Sequence, residues 1–170
     1  ETNVGSAIIT GSISGKVGSI DLRGSALISE DSTGLNVGGD IRAESAVDIY
    51  DRESASSSKG FLSSSSSYIR SHGEENLASN LKLGEGAVIQ GNVTGIGSNI
   101  VLGENTYVGG KVTTDSRQLH NSYYEEHKKS GLTGGISGGT VSIGYGKNES
   151  TYDERSTVNA RSTLVIGDGS

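Results

Sequence analysis

The fold class this sequence predicts is all-β: a right-handed parallel β-helix, a solenoid of about 19 residues per turn, running through residues 1–170 as one unit with two inserted β-hairpins. Three observations predict it. A phrase recurs at a 19-residue offset, apolar residues come in alternating pairs, and the composition has 27 Gly and no Pro, Cys, Met or Trp. Only 31% of positions are hydrophobic. That excludes a globule with a thick core and leaves either a disordered Gly/Ser chain or an architecture that needs only a thin one.

The repeat decides between them. Asn80-Leu-Lys-Leu-Gly-Glu-Gly86 lies over Asn99-Ile-Val-Leu-Gly-Glu-Asn105, and the match continues through Gly91/Gly110, Val93/Val112 and Thr94/Thr113, an offset of 19. Gly5-Ser-Ala-Ile and Gly24-Ser-Ala-Leu stand 19 apart, and Glu44-Ser-Ala-Val follows 20 further on. Leu164-Val-Ile-Gly-Asp-Gly169 restates Leu81-Lys-Leu-Gly-Glu-Gly86. With Glu44, Glu85, Glu104 and Asp168 in register, the spacings exceed 19 by 22 before Glu85 and by 45 before Asp168, so two repeats carry insertions.

Within a repeat the pairs Ile20 and Leu22, Leu81 and Leu83, Ile100 and Leu102, Leu164 and Ile166 alternate with small or polar residues, the period of short strands. Each strand then pairs with its equivalent one turn away, and the interior is a narrow column of aliphatic side chains. The alignment predicts that Ile8, Leu27, Val47, Val88 and Tyr107 stack, as do Ile20, Ile100 and Leu164. Pro would remove a ladder donor from a strand paired on both sides, and none occurs.

The first insertion, residues 51–79, holds Ser54-Ala-Ser-Ser-Ser58 and the run Ser63 to Ser67, and reads as a polar loop or a hairpin with Ser63–Ser66 near its tip. The second, 115–159, reads as an extended hairpin with Arg117–Thr133 and Thr140–Val158 as arms and the glycine cluster Gly134 to Gly139 as turn. Facing residues then have numbers summing to about 273, which places Lys128 near Tyr145 and Glu125 near Asn148. A lone two-stranded ribbon is marginal in water, so this one is expected to lie against the solenoid or a neighbouring chain.

Tyr123-Tyr-Glu-Glu-His-Lys-Lys-Ser-Gly-Leu132, followed by the Gly-rich Gly134 to Gly144, resembles the charged, Lys-Ser-Gly-centred segment of the haemagglutinin repeats of filamentous haemagglutinin and of CdiA-type contact-dependent inhibition exoproteins. Val37-Gly-Gly-Asp-Ile-Arg-Ala-Glu-Ser45, leading on to Ser57-Ser-Lys-Gly-Phe61, is similar to a second copy, and Val108-Gly-Gly-Lys-Val-Thr-Thr-Asp-Ser116 occupies the same place before the second insertion. The serine run Ser63–Ser67 departs from the pattern, where a Gly-rich strand is usual. The resemblance covers roughly residues 35–170. It implies a secreted, cell-surface β-helical filament used for adhesion or for presenting and delivering a toxin to a neighbouring bacterium. The implied partners are an outer-membrane two-partner secretion transporter, neighbouring repeats of the same filament, and a target-cell surface receptor or envelope.

The residues themselves point away from an enzyme. A net charge of −6 disfavours nucleic acid and acidic membranes as partners. The absence of Cys removes disulfides, thiolate metal sites and thiol nucleophiles. No run approaches the roughly 18 apolar residues of a membrane span, and the Met-free chain reads as a fragment or processed product whose targeting signal lay upstream. Parallel β-helices do host polysaccharide-active enzymes with paired carboxylates, but the dipeptides Glu74-Glu75, Glu125-Glu126 and Asp153-Glu154 put adjacent residues on opposite faces of a strand. Glu85, Glu104 and Asp168 recur with the repeat and read as an edge ladder. His72, His120 and His127 lack metal-ligand spacing. No catalytic, cofactor or metal residue is therefore assigned. Tyr123, Tyr124, Tyr145 and Tyr152 gather beside Lys128 and Lys129 in the second insertion, and these six are the candidate partner-binding surface, the feature on which an adhesin that recognises a glycan or receptor through its hairpins would rest.

Overall fold

The computed structural model describes residues 2–137 and 140–169, with side chains 133–142 left aside, and is all-β over that range. The chain visits three parallel sheets in rotation. The first pass is β1 (Ala7–Ser12), β2 (Gly15–Val17) and β3 (Ile20–Arg23); the second is β4 (Ala26–Asp31), β5 (Leu35–Val37) and β6 (Ile41–Glu44). A hairpin follows, β7 (Ala46–Lys59) and β8 (Ser63–Leu77). The third pass is β9 (Asn80–Leu83), β10 (Val88–Ile89) and β11 (Val93–Ile96); the fourth is β12 (Asn99–Leu102), β13 (Tyr107–Val108) and β14 (Val112–Asp115). A second hairpin, β15 (Arg117–Ser137) and β16 (Thr140–Ala160), precedes β17 (Thr163–Ile166). Sheet orders β1-β4-β9-β12-β17, β2-β5-β10-β13 and β3-β6-β11-β14 make every strand the neighbour of its equivalent one pass away, an arrangement compatible with a β-solenoid. The hairpins form a separate sheet, β7-β8-β15-β16.

The offset of 19 holds from Asn80 to Asn99 through Leu83 to Leu102, and from Ala7 to Ala26. The columns differ from the expected ones. Ile8, Leu27, Leu81, Ile100 and Leu164 stack in one register, and Ile20, Ile41, Val93 and Val112 in another. Val47 lies in β7, outside any column, and Val88 and Tyr107 pair with each other on the outward parity while Ile89 is buried beside Val37. The cause is the first hairpin: the chain leaves after Ser45 into β7, so the strand that follows β4 in the stack begins only at Asn80 and brings Leu81 rather than Val47 onto Leu27. The second pass is also longer by one residue at each of two corners, since Ala7 meets Ala26 at offset 19, Val17 meets Val37 at 20 and Ile20 meets Ile41 at 21. Glu44 therefore faces Arg23 and Ile96 and leaves the acidic row, where Asp31 bridges Glu85 instead. Ala26 meets Asn80 at a spacing of 54, so the first insertion adds 35 residues to the repeat rather than 22, whereas Asn99 meets Thr163 at 64 and the second adds the expected 45.

The core is the thin one anticipated. Leu27, Leu35, Val37, Ile41, Leu81, Leu83, Ile89, Val93, Ile100 and Leu102 are buried together with Ala43 and Ala87. Serine stitches the corner between the third strand of one pass and the first of the next. The Ser6 amide donates to Ser25 Oγ (3.3 Å), Ser25 to Ser79 (3.1 Å), Ser79 to Ser98 (3.3 Å) and Ser98 to Ser162 (3.2 Å). Each hydroxyl donates back to the carbonyl that ends the preceding third strand: Ser25 to Arg23, Ser79 to Glu44, Ser98 to Ile96, Ser162 to Asp115. The ladder runs unbroken past both hairpins because Ser79 and Ser162 reach back across the hairpin bases.

Which corners emit a hairpin follows from one position. After β3 and β11 the next residue is Gly24 or Gly97, at φ of +55° and +57°, and the chain turns directly into the next pass. After β6 and β14 that residue is Ser45 or Ser116, and the chain runs out into β7 or β15. The left-handed region is open to Gly at little cost and resisted by Ser, so Gly makes the tight corner. Arg117 then ties the two hairpin bases together, donating from Nη2 to Glu44 Oε1 (2.5 Å) and the Ser45 carbonyl (3.0 Å). Burial pushes the Glu44 carboxyl up, but the hydrogen bond and charge of Arg117, with Arg42 beside it, hold it below its ordinary value.

Candidate functional site

Contacts divide the chain into two units, Glu1–Ile49, Glu74–Leu119 and Val158–Ser170 on the one hand, Tyr50–Gly73 and His120–Thr157 on the other. The second unit is the hairpin sheet, and all six candidate residues and all three histidines lie in it. The serine-rich first insertion is strand: Gly60 donates to the Ser63 carbonyl (2.7 Å), and Phe61-Leu62 forms the tip in place of Ser63–Ser66. The second hairpin pairs with the first. Ser122 faces His72, Tyr124 faces Arg70 and Lys128 faces Ser66 along an antiparallel β8·β15 ladder. The support expected from the solenoid or another chain thus comes from a sister hairpin, which brings the ribbon to four strands.

The facing pairs of β15 and β16 also differ from expectation. Lys128 Nζ reaches Glu149 at 3.3 Å and His120 Nδ1 meets Thr157 Oγ1 at 3.4 Å, both summing to 277, so Lys128 does not face Tyr145 and Glu125 does not face Asn148. The reason is that β15 runs on through Gly134 and Gly135 to Ser137, which moves the reversal toward Thr140. The last two glycines assigned to that turn, Gly138 and Gly139, lie outside the described residues.

Alternation splits the six candidates between two faces. On the first, the Tyr123 and Tyr152 rings meet edge to face at 6.1 Å and 61°, with Lys129 further along. Tyr123 donates to Glu125 Oε2 (2.9 Å), Tyr152 to Glu154 Oε2 (2.7 Å), and His127 Nε2 pairs with Glu125. Beyond them Ser56, Ser58, Ser65, Ser67, Lys129 and Asn148 line a trough of about 520 Å³. On the second face are Tyr124, Lys128 and Tyr145. Tyr124 packs edge to face on Tyr68 at 6.1 Å, and Lys128 bridges Glu126 (2.5 Å) and Glu149. Here too His72 Nδ1 meets Asp51 Oδ1 at 2.6 Å, and Ser64 Oγ meets Ser130 Oγ at 2.7 Å. Sequence reasoning did not single out Tyr68 or Asp51 and named His72 without its partner, because only the β7·β8·β15 register brings them together.

These are rows of charge-assisted hydrogen bonds along solvent-facing strands. The arrangement orders a ribbon and presents hydroxyls, rings and cations. Among the described residues no group of three or more His, Cys, Asp or Glu could hold a metal ion. Its carboxylates are held low: Glu125 by hydrogen bonds from His127 and Tyr123, Asp51 by His72, Glu149 by Lys128. A depressed carboxyl contributes stability above its unfolded value and loses it as pH falls through the folded one. The hairpin sheet is therefore expected to loosen below about pH 4. Amide exchange as a function of pH checks this, with Tyr50–Gly73 and His120–Thr157 losing protection before Asn80–Val108 does. Lys128 has the opposite sense: Glu126 and Glu149 raise it, so its contribution is lost only at strongly alkaline pH.

No family model, no curated protein and no solved structure matches this chain.

Proposed function

We propose that this chain is a segment of a right-handed parallel β-helical filament of the haemagglutinin-repeat kind. It serves as a non-enzymatic scaffold within a large secreted bacterial exoprotein that extends from the cell surface for adhesion or for delivery of a contact-dependent growth-inhibition toxin. The observation that carries the reading is the alternation at one corner: Gly24, Ser45, Gly97 and Ser116 in turn, so that a hairpin leaves every second pass. Each hairpin supplies two strands and each pair of passes adds two rungs, so both sheet systems grow by one strand per pass. A structure that extends indefinitely by one rule is what a filament needs, and a localised active site has no use for it. The secretion transporter of the parent protein and neighbouring repeats are its partners. On the terminal strands β1 and β17, Ile8 and Ile166, whose equivalents Leu81 and Leu102 are buried, are exposed, and neighbouring repeats would cover them.

The rule gives a test in the parent exoprotein. Deleting residues 80–162 removes two passes and one hairpin and joins Ser79 to Thr163 with the alternation intact. Export, surface display and contact-dependent activity are expected to survive with a shorter filament under the electron microscope. Deleting 80–98 alone removes one pass, brings the two hairpins to successive passes and is expected to abolish display. Loss of activity in the 80–162 deletion with display unaffected would place a specific site in this segment and defeat the scaffold reading.

A further inference from the structure

The hairpin sheet ends in two free edges. β7 and β16 are its outer strands, exposed at every position over 50–59 and 147–157, whereas Tyr68, Tyr123 and Tyr124 on the inner strands are half-buried. A long strand edge without Pro is a template for another strand. Which strand fits it follows from the junction the sheet already contains. Partners in the β8·β15 ladder have numbers summing to 194, one less than the sum for Ser79 and Ser116, the serines at the bases of these two strands. The corresponding serines of β7 and β16 are Ser45 and Ser162. Ser45 matches Ser116, since Glu44 and Asp115 both face Ile96, and Ser162 matches Ser79 on the serine ladder through Ser98. The same junction between β16 of one copy and β7 of the next therefore pairs residues whose numbers sum to 206.

The structure holds the first rung of that lane. Asn3, Asn76 and Asn159 each stand three residues before a corner serine, Ser6, Ser79 and Ser162. Asn3 is thus the counterpart of Asn159 one copy along, and it lies on the base of β7. Its Nδ2 donates to the Val47 carbonyl (2.8 Å) and its amide to Asp48 Oδ1 (2.7 Å). Val47 is the residue that the 206 register assigns to Asn159. Farther along, Arg52 falls opposite Glu154 and Asp51 opposite Arg155. Glu53 falls opposite Asp153 with Arg155 as its diagonal neighbour, and Lys59 falls opposite Lys147, which confines the pairing to 50–57 with 149–156.

We propose that the free edge of β7 accepts β16 of a second copy of this chain, antiparallel and in the 206 register, so that the hairpin sheet continues from copy to copy. The backbone ladder supplies the cohesion, the corner spacing sets the register, and the Arg52·Glu154 and Asp51·Arg155 pairs add to it. A junction between two different edges is heterologous and leaves a free edge at each end, so it extends openly. This deepens the filament reading by naming strands through which consecutive segments meet.

Two copies joined at their equivalent asparagines, Val158 of the first followed by Asn3 of the second, put both edges in one chain. With Ser150→Cys in the first copy and Ser56→Cys in the second, the only thiols present, mild oxidation is expected to close a disulfide. Ser156→Cys with Ser56→Cys is expected to stay open, because six residues out of register is about 20 Å along a strand and a disulfide spans at most roughly 7 Å between Cα atoms. Amides on the side of β7 away from β8 are expected to exchange freely in the single chain and slowly in the second copy of the joined one. Arg52→Glu in the second copy, or Glu154→Arg in the first, is expected to lower that protection about two- to fivefold, and the two together to restore it. Separate single chains carrying Ser150→Cys and Ser56→Cys, mixed and oxidised, give a second measurement that needs no joined chain, with the crossed disulfide expected in preference to either homodimer. The proposal is overturned if neither cysteine pair closes in either format, if both pairs close alike, if the outer β7 amides stay open in the joined chain, or if the paired charge reversal fails to restore protection. Stacking of the passes needs no contact between hairpins, so these failures leave the scaffold reading to its own test of export and display.

Discussion

Ile100→Ala is expected to lower stability by about 2–5 kcal/mol and Leu81→Ala by about as much, read as a fall in the urea midpoint. Both side chains are buried and they occupy one column, Leu27, Leu81, Ile100 and Leu164, in direct register. The cost of such a deletion depends on how far the surroundings collapse. Here they are pinned: Asn99 N bonds the Ser79 carbonyl at 2.8 Å and Gly103 N the Leu83 carbonyl at 2.8 Å, so the rungs cannot close up on the void. Among the described residues the core cluster has twelve buried side chains, so each deleted side chain is a large share of it. Because Leu81 and Ile100 share one cavity, the double variant is expected to depart from the sum of the singles by 0.5 kcal/mol or more, a scale of about 0.5–3 kcal/mol for touching residues. Val165→Ala, one residue from Leu164 on a half-exposed outward position, is expected to stay within about 0.5 kcal/mol. A small effect at Ile100 would mean that the column does not carry the fold.

Much of this architecture was legible where the repeat is undisturbed. Asn80 to Thr94 over Asn99 to Thr113 has no insertion, and period-2 apolar pairs flag both strands that bury Leu81, Leu83, Ile100 and Leu102. Register failed where length varied at corners. Glu44-Ser-Ala-Val47 looks like Gly24-Ser-Ala-Leu27, but the repeated serine of that corner is Ser79, reached only after the hairpin, and nothing in a linear alignment says that a residue 54 positions from Ser25 is its neighbour. The hairpin sheet was less legible still, for a physical reason. Its strands are solvated on both faces, so Ser54–Ser67 carries no apolar periodicity, and the ladder that joins the two hairpins, β8·β15, pairs residues 50 to 68 apart. Local parity remained readable: adjacent Tyr123 and Tyr124 must point to opposite faces, which already divides the six-residue surface.

Gly84→Ala should be more damaging than its single added methyl suggests, about 3 kcal/mol or more. The backbone torsion there is ordinary, so the cost is one of proximity. A Cβ on Gly84 would lie 1.9 Å from the Glu30 carbonyl oxygen and 2.2 Å from its carbon, backbone atoms that cannot swing aside as a side chain would. The same contact repeats up the stack, with a Cβ on Gly103 2.5 Å from Gly84 C and one on Gly167 2.7 Å from Glu104 N. At this corner successive passes therefore touch main chain to main chain. Relief requires separating the second and third passes, which opens the Asp31·Glu85 bridge and the bond from Ser32 N to the Glu85 carbonyl (3.0 Å), while Gly103 N holds the Leu83 carbonyl from the other side. Gly146→Ala supplies the control, since nothing lies within 4 Å of a Cβ at that position on β16. There the methyl only restricts the unfolded chain, and the expected change is between zero and a gain of about 1 kcal/mol. Thermal or urea melts of the two variants read the contrast directly: a Gly84→Ala protein as stable as Gly146→Ala would show that the passes are not in backbone contact, and the spacing that aligns Leu83-Gly84 with Leu102-Gly103 would lose its physical basis.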